Sequence, residues 1–241
     1  MKKSIALLLA FVVTGALFSC FGDSSSSSPS YRVIHETNYI VSEGVATLDR
    51  TTLYEYDAGG NRVKKSFFDA SDALMSYYTY EYDAKGNNTK QSYYTSSDVL
   101  SFYSLYAYDE NNCAMRYEKY DASDNLTNYG TYEYDANDFL TTYSYYNSSD
   151  ELQGNWAYEY DADGNKTTSS WYDATPALQY YDTHEYDAGG NLLKESRYNP
   201  PAVLDYYYTC EYDADGNMTK KERYTSSDVL DYYISYEYES Y

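Results

Sequence analysis

The stretch YEYDADGN, Tyr158–Asn165, decides the fold because its parts recur at one fixed interval. The tyrosine before its first aspartate returns every 26 residues, without insertion or deletion, at Tyr56, Tyr82, Tyr108, Tyr134, Tyr160, Tyr186, Tyr212 and Tyr238. Leucine keeps the same period from Leu48 to Leu230. A fixed period of this size indicates a repeat architecture.

Two turns divide each period. The first opens on aspartate, and its fourth position is Gly, Asn or Asp, the residue types that tolerate a left-handed backbone. A type I turn followed by such a residue is a common hairpin loop. We therefore assign structural turn roles to Asp57, Gly60, Asp83, Gly86, Asp161, Gly164, Asp187, Gly190, Asp213 and Gly216. A looser second turn, such as DASDAL, follows half a period later.

The order Asp-x-Asp-Gly-Asn also suggests a calcium loop, but the spacing does not fit. A calcium loop needs glycine at its sixth position and glutamate at its twelfth. Counted from Asp161, glycine is fourth and the twelfth residue is Tyr172. The equivalent of Asp163 in another repeat is Lys85, which could not ligate a cation. The sequence predicts a turn, with no metal and no cofactor.

Two strands and two turns per period predict an all-β fold, an antiparallel β-hairpin repeat that forms a long twisted or spiral meander sheet. We expect about fifteen strands, coiled into a spiral or an incompletely closed barrel, with a flat ribbon as the alternative. Symmetric pairing of the first hairpin would place Tyr54 opposite Lys64. Tyr54, Tyr56 and Lys64 would then share the packed face, with Lys65 and Phe67 on the solvent face.

The amino-terminal residues have the pattern of a secretory signal. Lys2 and Lys3 precede the apolar run Ile5–Phe18, which is too short to span a bilayer comfortably. The sequence LFSC, Leu17–Cys20, resembles a bacterial lipobox and predicts lipidation at Cys20. The alternative is an ordinary secretory signal with a chance cysteine.

These features divide the chain into four segments. They are a lipoprotein signal peptide at 1–19, the lipidated cysteine and a Ser-rich tether at 20–30, a degenerate capping repeat at 31–55, and seven repeats plus a terminal strand at 56–241. We expect a location in the bacterial cell envelope, lipid-anchored at the outer membrane or cell surface, with the membrane as a partner through that anchor.

The chain is strongly acidic. Without Lys2 and Lys3, 15 of the 17 basic residues remain against 38 acidic ones, a net charge of −23. This argues against nucleic acid and against docking on anionic lipid. Cys113 and Cys210 lie 97 residues apart, and we predict two free thiols.

The repeat resembles the YD/RHS repeat of bacterial surface and secreted proteins. The matching residues are YEYDAGGN, YEYDAKGN, YEYDADGN and HEYDAGGN, and the resemblance covers about residues 48–241. It implies a curling β-sheet. The period is longer than is usual for that family, and no toxin domain follows, so a toxin-encasing role is not implied.

No catalytic motif is present, and we predict that the protein is not an enzyme. The first predicted function is a structural or binding module that recognises an unidentified protein or glycan. The second is a carbohydrate-binding module. In that case Tyr77, Tyr103, Trp171 and Tyr181 would stack on sugar rings from the exposed face of the sheet.

Overall fold

The computed structural model describes residues 31–240, which form sixteen antiparallel β-strands joined by tight turns. The predicted signal peptide, Cys20 and tether lie outside the described residues. The strands are β1 Tyr31–Ser42, β2 Val45–Tyr56, β3 Arg62–Asp69, β4 Leu74–Tyr82, β5 Asn88–Thr95, β6 Leu100–Tyr108, β7 Ala114–Asp121, β8 Leu126–Tyr134, β9 Leu140–Asn147, β10 Leu152–Tyr160, β11 Lys166–Asp173, β12 Leu178–Tyr186, β13 Leu192–Asn199, β14 Val203–Tyr212, β15 Met218–Thr225 and β16 Leu230–Ser240.

The aspartate turns have the geometry of a local hydrogen-bonded loop. In the first, Oδ1 of Asp57 accepts hydrogen bonds from the backbone N–H groups of Gly59 and Asn61, both at 2.9 Å. Gly60 follows at φ +84°. The Asn61 side-chain amide donates to Oδ2 at 3.1 Å, and this bond, together with the backbone bonds, favours the ionised carboxylate and lowers the pKa of Asp57. The carboxylate therefore holds its own turn together.

The same geometry recurs in the other repeats. The carboxylate of Asp83, Asp161, Asp187 or Asp213 accepts equivalent bonds, and Gly86, Gly164, Gly190 and Gly216 have φ between +83° and +87°. Residues 31–240 contain no group of three or more His, Cys, Asp and Glu residues placed to hold a metal.

The meander closes on itself, so the prediction of an open twisted or spiral sheet is wrong. Strand β1 pairs with β2 on one side and with β16 on the other, and the sixteen strands form a closed barrel. The antiparallel all-β prediction is confirmed. Closure pairs the backbone groups of β1 and β16, which would be unpaired edges in an open sheet.

The strand register explains the closure. Tyr54 lies opposite Lys65, and Lys65 lies opposite Tyr78, two residues short of the repeat equivalent Tyr80. Eight such two-residue offsets around the barrel add up to a total stagger of sixteen residues, which is one residue per strand. That stagger corresponds to a strand tilt of about 35°, typical of closed barrels, and to a backbone diameter of roughly 30 Å for a circular section.

Each aspartate hairpin contains a bulge, and the bulge makes the predicted assignment of side chains to the two faces of the sheet wrong. Tyr56 pairs with Arg62, but the register then shifts by one residue, and Tyr54 pairs with Lys65 rather than Lys64. A bulge of this kind leaves one residue unpaired and turns the following side chains to the opposite face. Lys65 and Phe67 therefore share the concave face with Tyr54, whereas Lys64 points outward.

The tyrosines that end the even-numbered strands fasten each hairpin to the preceding one. The hydroxyl of Tyr160 donates to the carbonyl of Leu140, twenty residues earlier, at 3.0 Å. Equivalent bonds at 2.8–2.9 Å are made by Tyr82, Tyr108, Tyr134, Tyr186, Tyr212 and Tyr238. This bond gives the invariant tyrosine a structural role beyond burial.

The cysteines differ from the prediction of two free thiols. Cys210 is a buried free thiol, as predicted. Cys113 is disulfide-bonded rather than a free thiol, and it is only 2% exposed. Among residues 31–240 there is no helix long and apolar enough to cross a membrane.

Candidate functional site: the barrel lumen

The outer face of the barrel carries a repeating polar and aromatic pattern, which we call the outer belt. In the first repeat it consists of Glu55, Lys64, Tyr77 and Tyr94. Lys64 Nζ lies 3.7 Å from the Glu55 carboxylate and 4.7 Å from the Tyr77 ring centroid. The Tyr77 and Tyr94 rings stack at 5.0 Å with an interplanar angle of 11°.

Three of the four predicted sugar-stacking residues belong to this belt. Tyr77, Tyr103 and Tyr181 each stack on the tyrosine of the next strand, at 5.0–5.2 Å. The hydroxyl of Tyr103 donates to Asp124 at 2.8 Å, and that of Tyr77 donates to Asp98 at 3.0 Å. In Tyr77 and Tyr103, therefore, one face of the ring contacts another tyrosine and the hydroxyl is hydrogen-bonded to an aspartate.

Trp171 does not lie with the other three. It pairs with Trp156 and Tyr180 on the concave face, and its ring lies 5.5 Å from that of Trp156. The bulge in the β10–β11 hairpin turns Trp171 to the concave face, and the bulge in the β2–β3 hairpin does the same to the equivalent residue Phe67. The structure therefore separates the four predicted aromatics between two faces.

The lumen wall of β4–β10 is rich in aromatic rings, and we call it the aromatic arc. The rings of Tyr78, Tyr93 and Phe102 follow one another with 4.8 Å between centroids, the first pair tilted by 51° and the second stacked at 18°. Further pairs continue around the wall: Tyr106–Tyr117 at 5.8 Å, Tyr132–Tyr143 at 5.0 Å, and Trp156 against Trp171 of β11 at 5.5 Å. Burial raises the pKa of Tyr78 and of Tyr106 to about 12.

The remaining lumen wall, β11–β16 and β1–β3, is different in charge, and we call it the cationic arc. Its basic residues are Arg50, Arg62, Lys65, Lys166, Arg197, Lys221 and Arg223. Most lie over lumen tyrosines: the Arg197 guanidinium carbon is 4.0 Å from the Tyr180 centroid, and that of Arg223 is 4.0 Å from the Tyr206 centroid. Such contacts stabilise a cation that is partly removed from water.

Two carboxylates of the cationic arc hold partners firmly. Arg197 donates two parallel hydrogen bonds to Asp182, at 2.8 and 2.9 Å. Asp182 is buried, and this bidentate pair raises the pKa of Arg197. Lys221 donates to Glu195 at 3.1 Å. These pairs leave Lys166 without an ion-pair partner among the described residues, and burial lowers its pKa.

The first hairpin forms the other part of the cationic arc. Lys65 Nζ lies 5.0 Å from the Tyr54 ring centroid, with no carboxylate of the described chain at ion-pair distance, and burial lowers its pKa. The Glu36 carboxylate accepts the Tyr54 hydroxyl at 2.5 Å. A cavity of about 210 Å³ opens between them, lined by Glu36, Asn38, Arg50, Thr52, Lys65 and Phe67.

Charge is distributed unequally between the lumen and the rest of the barrel. Residues 31–240 contain 15 Lys and Arg, since only Lys2 and Lys3 lie outside, and 37 Asp and Glu, since only Asp23 does. Eight of the 15 basic residues face the lumen, counting Lys119 of the aromatic arc. Among the acidic residues of the strands, Glu36, Asp182 and Glu195 face the lumen, and Asp231 pairs with the lumen cation Arg223. The lumen is therefore positive inside a strongly acidic shell.

Sequence reasoning missed this lumen because it interpreted variation as solvent exposure. The column of Phe67 runs through Lys119, Trp171 and Arg197, and the column of Lys65 includes Glu195 and Lys221. The Phe67 column, which varies only between aromatic and cationic residues, is unusual for a solvated face. That composition was the available signal.

Comparisons with known proteins reveal the fold alone. No family model and no curated protein matches the chain. Among solved structures, a porin-like protein from Bacteroides uniformis is 13% identical, with a TM-score of 0.59 over 86% of this chain and 98% of its own. A porin-like protein from Bacteroides vulgatus is 12% identical, with a TM-score of 0.52 over the same shares.

A third match is more distant. The TcdB2-TccC3-Cdc42 complex is 16% identical, with a TM-score of 0.36, over 83% of this chain but 11% of that chain. The two porin-like structures share the barrel architecture with this protein. The resemblance to YD/RHS repeats stays a prediction, because no family model supports it.

Proposed function

We propose that this protein is an envelope lipoprotein whose barrel stands in water and acts as a binding module through its lumen. The outer belt is the observation that supports this proposal. A barrel embedded in lipid turns an apolar band about 25 Å tall outward. Here the corresponding face presents ion pairs such as Lys90 with Glu81 at 3.3 Å, and Lys64 with Glu55 at 3.7 Å.

The position of the chain ends is compatible with a tether. Val33 of β1 pairs with Tyr238 of β16, and Tyr56 lies beside them at the start of the first aspartate turn. The chain therefore enters and leaves the barrel at the end that carries the aspartate turns. An anchor at Cys20 would place that end toward the membrane and the opposite mouth away from it.

Carbohydrate binding remains the second candidate, but its location changes. The outer tyrosines stack on one another, whereas the lumen holds both tryptophans of the chain, Trp156 and Trp171, beside further aromatic rings. Rings that line a concave wall can contact a ligand from several sides. We therefore place any sugar-binding function in the lumen and not on the exposed sheet.

Detergent phase partitioning of membranes tests the tethered, water-facing barrel. Wild-type protein should enter the detergent phase through its acyl chains, whereas the Cys20→Ala protein should move to the aqueous phase. Cys210→Ala is the matched control, since it removes a cysteine that is not in the lipobox, and it should behave as wild type. An uncut signal peptide would also hold the Cys20→Ala protein in detergent, so retention counts against the proposal only for protein of the processed size, and it would then mean that the barrel itself is embedded.

A further inference from the structure

We infer that the lumen binds an acidic oligosaccharide, a chain of sugar rings that carry carboxylate or sulfate groups. Its charged groups would lie on the cationic arc and its rings on the aromatic arc. This inference rests on the proposed binding function and adds the chemical class of the ligand.

The charge distribution supports an anionic ligand. Seven of the eight lumen cations lie on one arc, and four of these seven have carboxylate partners: Arg50 with Asp49, Arg197 with Asp182, Lys221 with Glu195 and Arg223 with Asp231. The other three, Arg62, Lys65 and Lys166, have no ion-pair partner among the described residues. The excess positive charge lies in a concave site walled by protein, where the field of fixed charges is stronger than at an open surface.

Unpaired polar atoms in the lumen support the same conclusion. Nε of Arg62 is buried and has no hydrogen-bond partner, although its guanidinium lies over the Tyr80 ring at 4.5 Å. Nδ1 of His184 is likewise buried and unpartnered. A buried polar atom without a partner costs free energy, so oxygen or hydroxyl groups of a ligand would be favoured beside these nitrogens.

The chemistry of the aromatic arc favours sugar over a fatty acyl chain. Its rings are mostly tyrosines, so apolar ring faces alternate with hydroxyl groups, and the polar side chains of Gln91, Ser104 and Asn128 lie among them. A sugar ring has apolar C–H faces and a rim of hydroxyls that match such a wall. An acyl chain would leave the wall's polar groups unpaired.

The described loops leave the lumen accessible. Every connection between consecutive strands from β1 to β16 has two to five residues, which is too short to fold across a mouth of this diameter. An extended oligosaccharide could therefore enter from the mouth opposite the chain ends.

Intrinsic fluorescence gives a readout confined to the lumen, because both tryptophans line it. The full-length protein in detergent would be titrated with oligogalacturonate, with its fully methyl-esterified form, with a chondroitin sulfate oligosaccharide and with laurate. We expect a saturable change with one or both acidic oligosaccharides, which identifies the acid group. Binding of the methyl ester should be at least about tenfold weaker, equivalent to about 1.4 kcal/mol.

Lys64 and Lys65 form a matched pair of variants, since they are adjacent but point to opposite faces. Lys65→Gln should weaken acidic oligosaccharide binding about tenfold and remove much of its salt dependence. Lys64→Gln changes the net charge equally and should leave affinity within about twofold. Thermal melts would verify that both variants fold, and Arg62→Gln against Lys90→Gln gives a second pair.

Several results would overturn the inference. Equal losses in Lys64→Gln and Lys65→Gln would mean bulk charge attraction, and tight binding of laurate alone would mean an acyl site. Tighter binding of the methyl ester, abolished by Trp171→Ala, would reject the acidic class and leave the lumen binding module in place. No fluorescence change with any probe would reject this inference, whereas failure of the tethered barrel is read separately from the phase partitioning of Cys20→Ala.

Discussion

Buried charge is the feature in which single residues matter most in this barrel. Asp182 is 4% exposed and holds Arg197 through two parallel hydrogen bonds. A buried pair of this kind contributes little net stability as a unit, yet loss of one partner leaves a charge without compensation. Pairs on the outer belt, by contrast, are exposed and screened by solvent.

Asp182→Asn should therefore destabilise the barrel by about 3 kcal/mol, because Arg197 stays charged in a half-buried site. For a domain of this size the melting temperature should fall by roughly 6–12 °C. Asp124→Asn is the control, since Asp124 is exposed and accepts one hydroxyl bond from Tyr103. Equal melting temperatures for the two variants would show that the Asp182–Arg197 pair is not needed for folding.

The hairpin is the element that the sequence predicted best. The 26-residue period, the alternating strands and the left-handed glycines of the aspartate turns all follow from residue types at fixed positions. The bulge could not be predicted in the same way. Tyrosine occupies both faces, as Tyr78 and Tyr77 show, so the pattern of apolar residues does not reveal which way Lys64 and Lys65 point.

Closure of the sheet could not be predicted from the sequence pattern either. It depends on a two-residue offset at each hairpin, summed over sixteen strands, and on the match between β1 and β16. The pairing of Glu36 with Tyr236 involves residues 200 positions apart, for which a single sequence gives no signal. Face assignments that depended on the register, such as that of Trp171, were wrong for the same reason.

Two glycines in equivalent turns offer a test of hairpin packing. Gly164 and Gly216 have φ of +85° and +83°, so alanine at either position costs about 1 kcal/mol in backbone strain. A Cβ at Gly164 would also lie 2.9 Å from the Phe139 ring, whereas one at Gly216 meets only the Asn191 side chain at 4.0 Å. Gly164→Ala should lower the midpoint of urea unfolding more than Gly216→Ala, and an equal effect would contradict the packing of neighbouring turns.

At the scale of the whole molecule, the tyrosines that line the lumen predict that the folded state loses stability at high pH. Burial raises the pKa of Tyr78 and Tyr106 to about 12, above the value of about 10 expected in an unfolded chain. A raised pKa stabilises the folded state fully below pH 10, and that stability is lost as the pH rises toward 12. Far-ultraviolet circular dichroism should therefore show cooperative unfolding in this window, together with a step in tyrosinate absorbance. A gradual, non-cooperative absorbance rise with the fold intact would mean that the lumen rings are solvated.

The closed barrel is the central claim, and a distance between β1 and β16 tests it most directly. Spin labels at Thr37→Cys and Ser235→Cys, in a protein whose three native cysteines are serine, would lie on directly paired positions. Labels at Thr37→Cys and Thr51→Cys are the control, because these strands pair whether or not the sheet closes. The closed barrel predicts a narrow distribution below about 20 Å for both pairs. A separation for residues 37 and 235 approaching about 70 Å, the width of fifteen strand spacings, would mean an open sheet and no lumen.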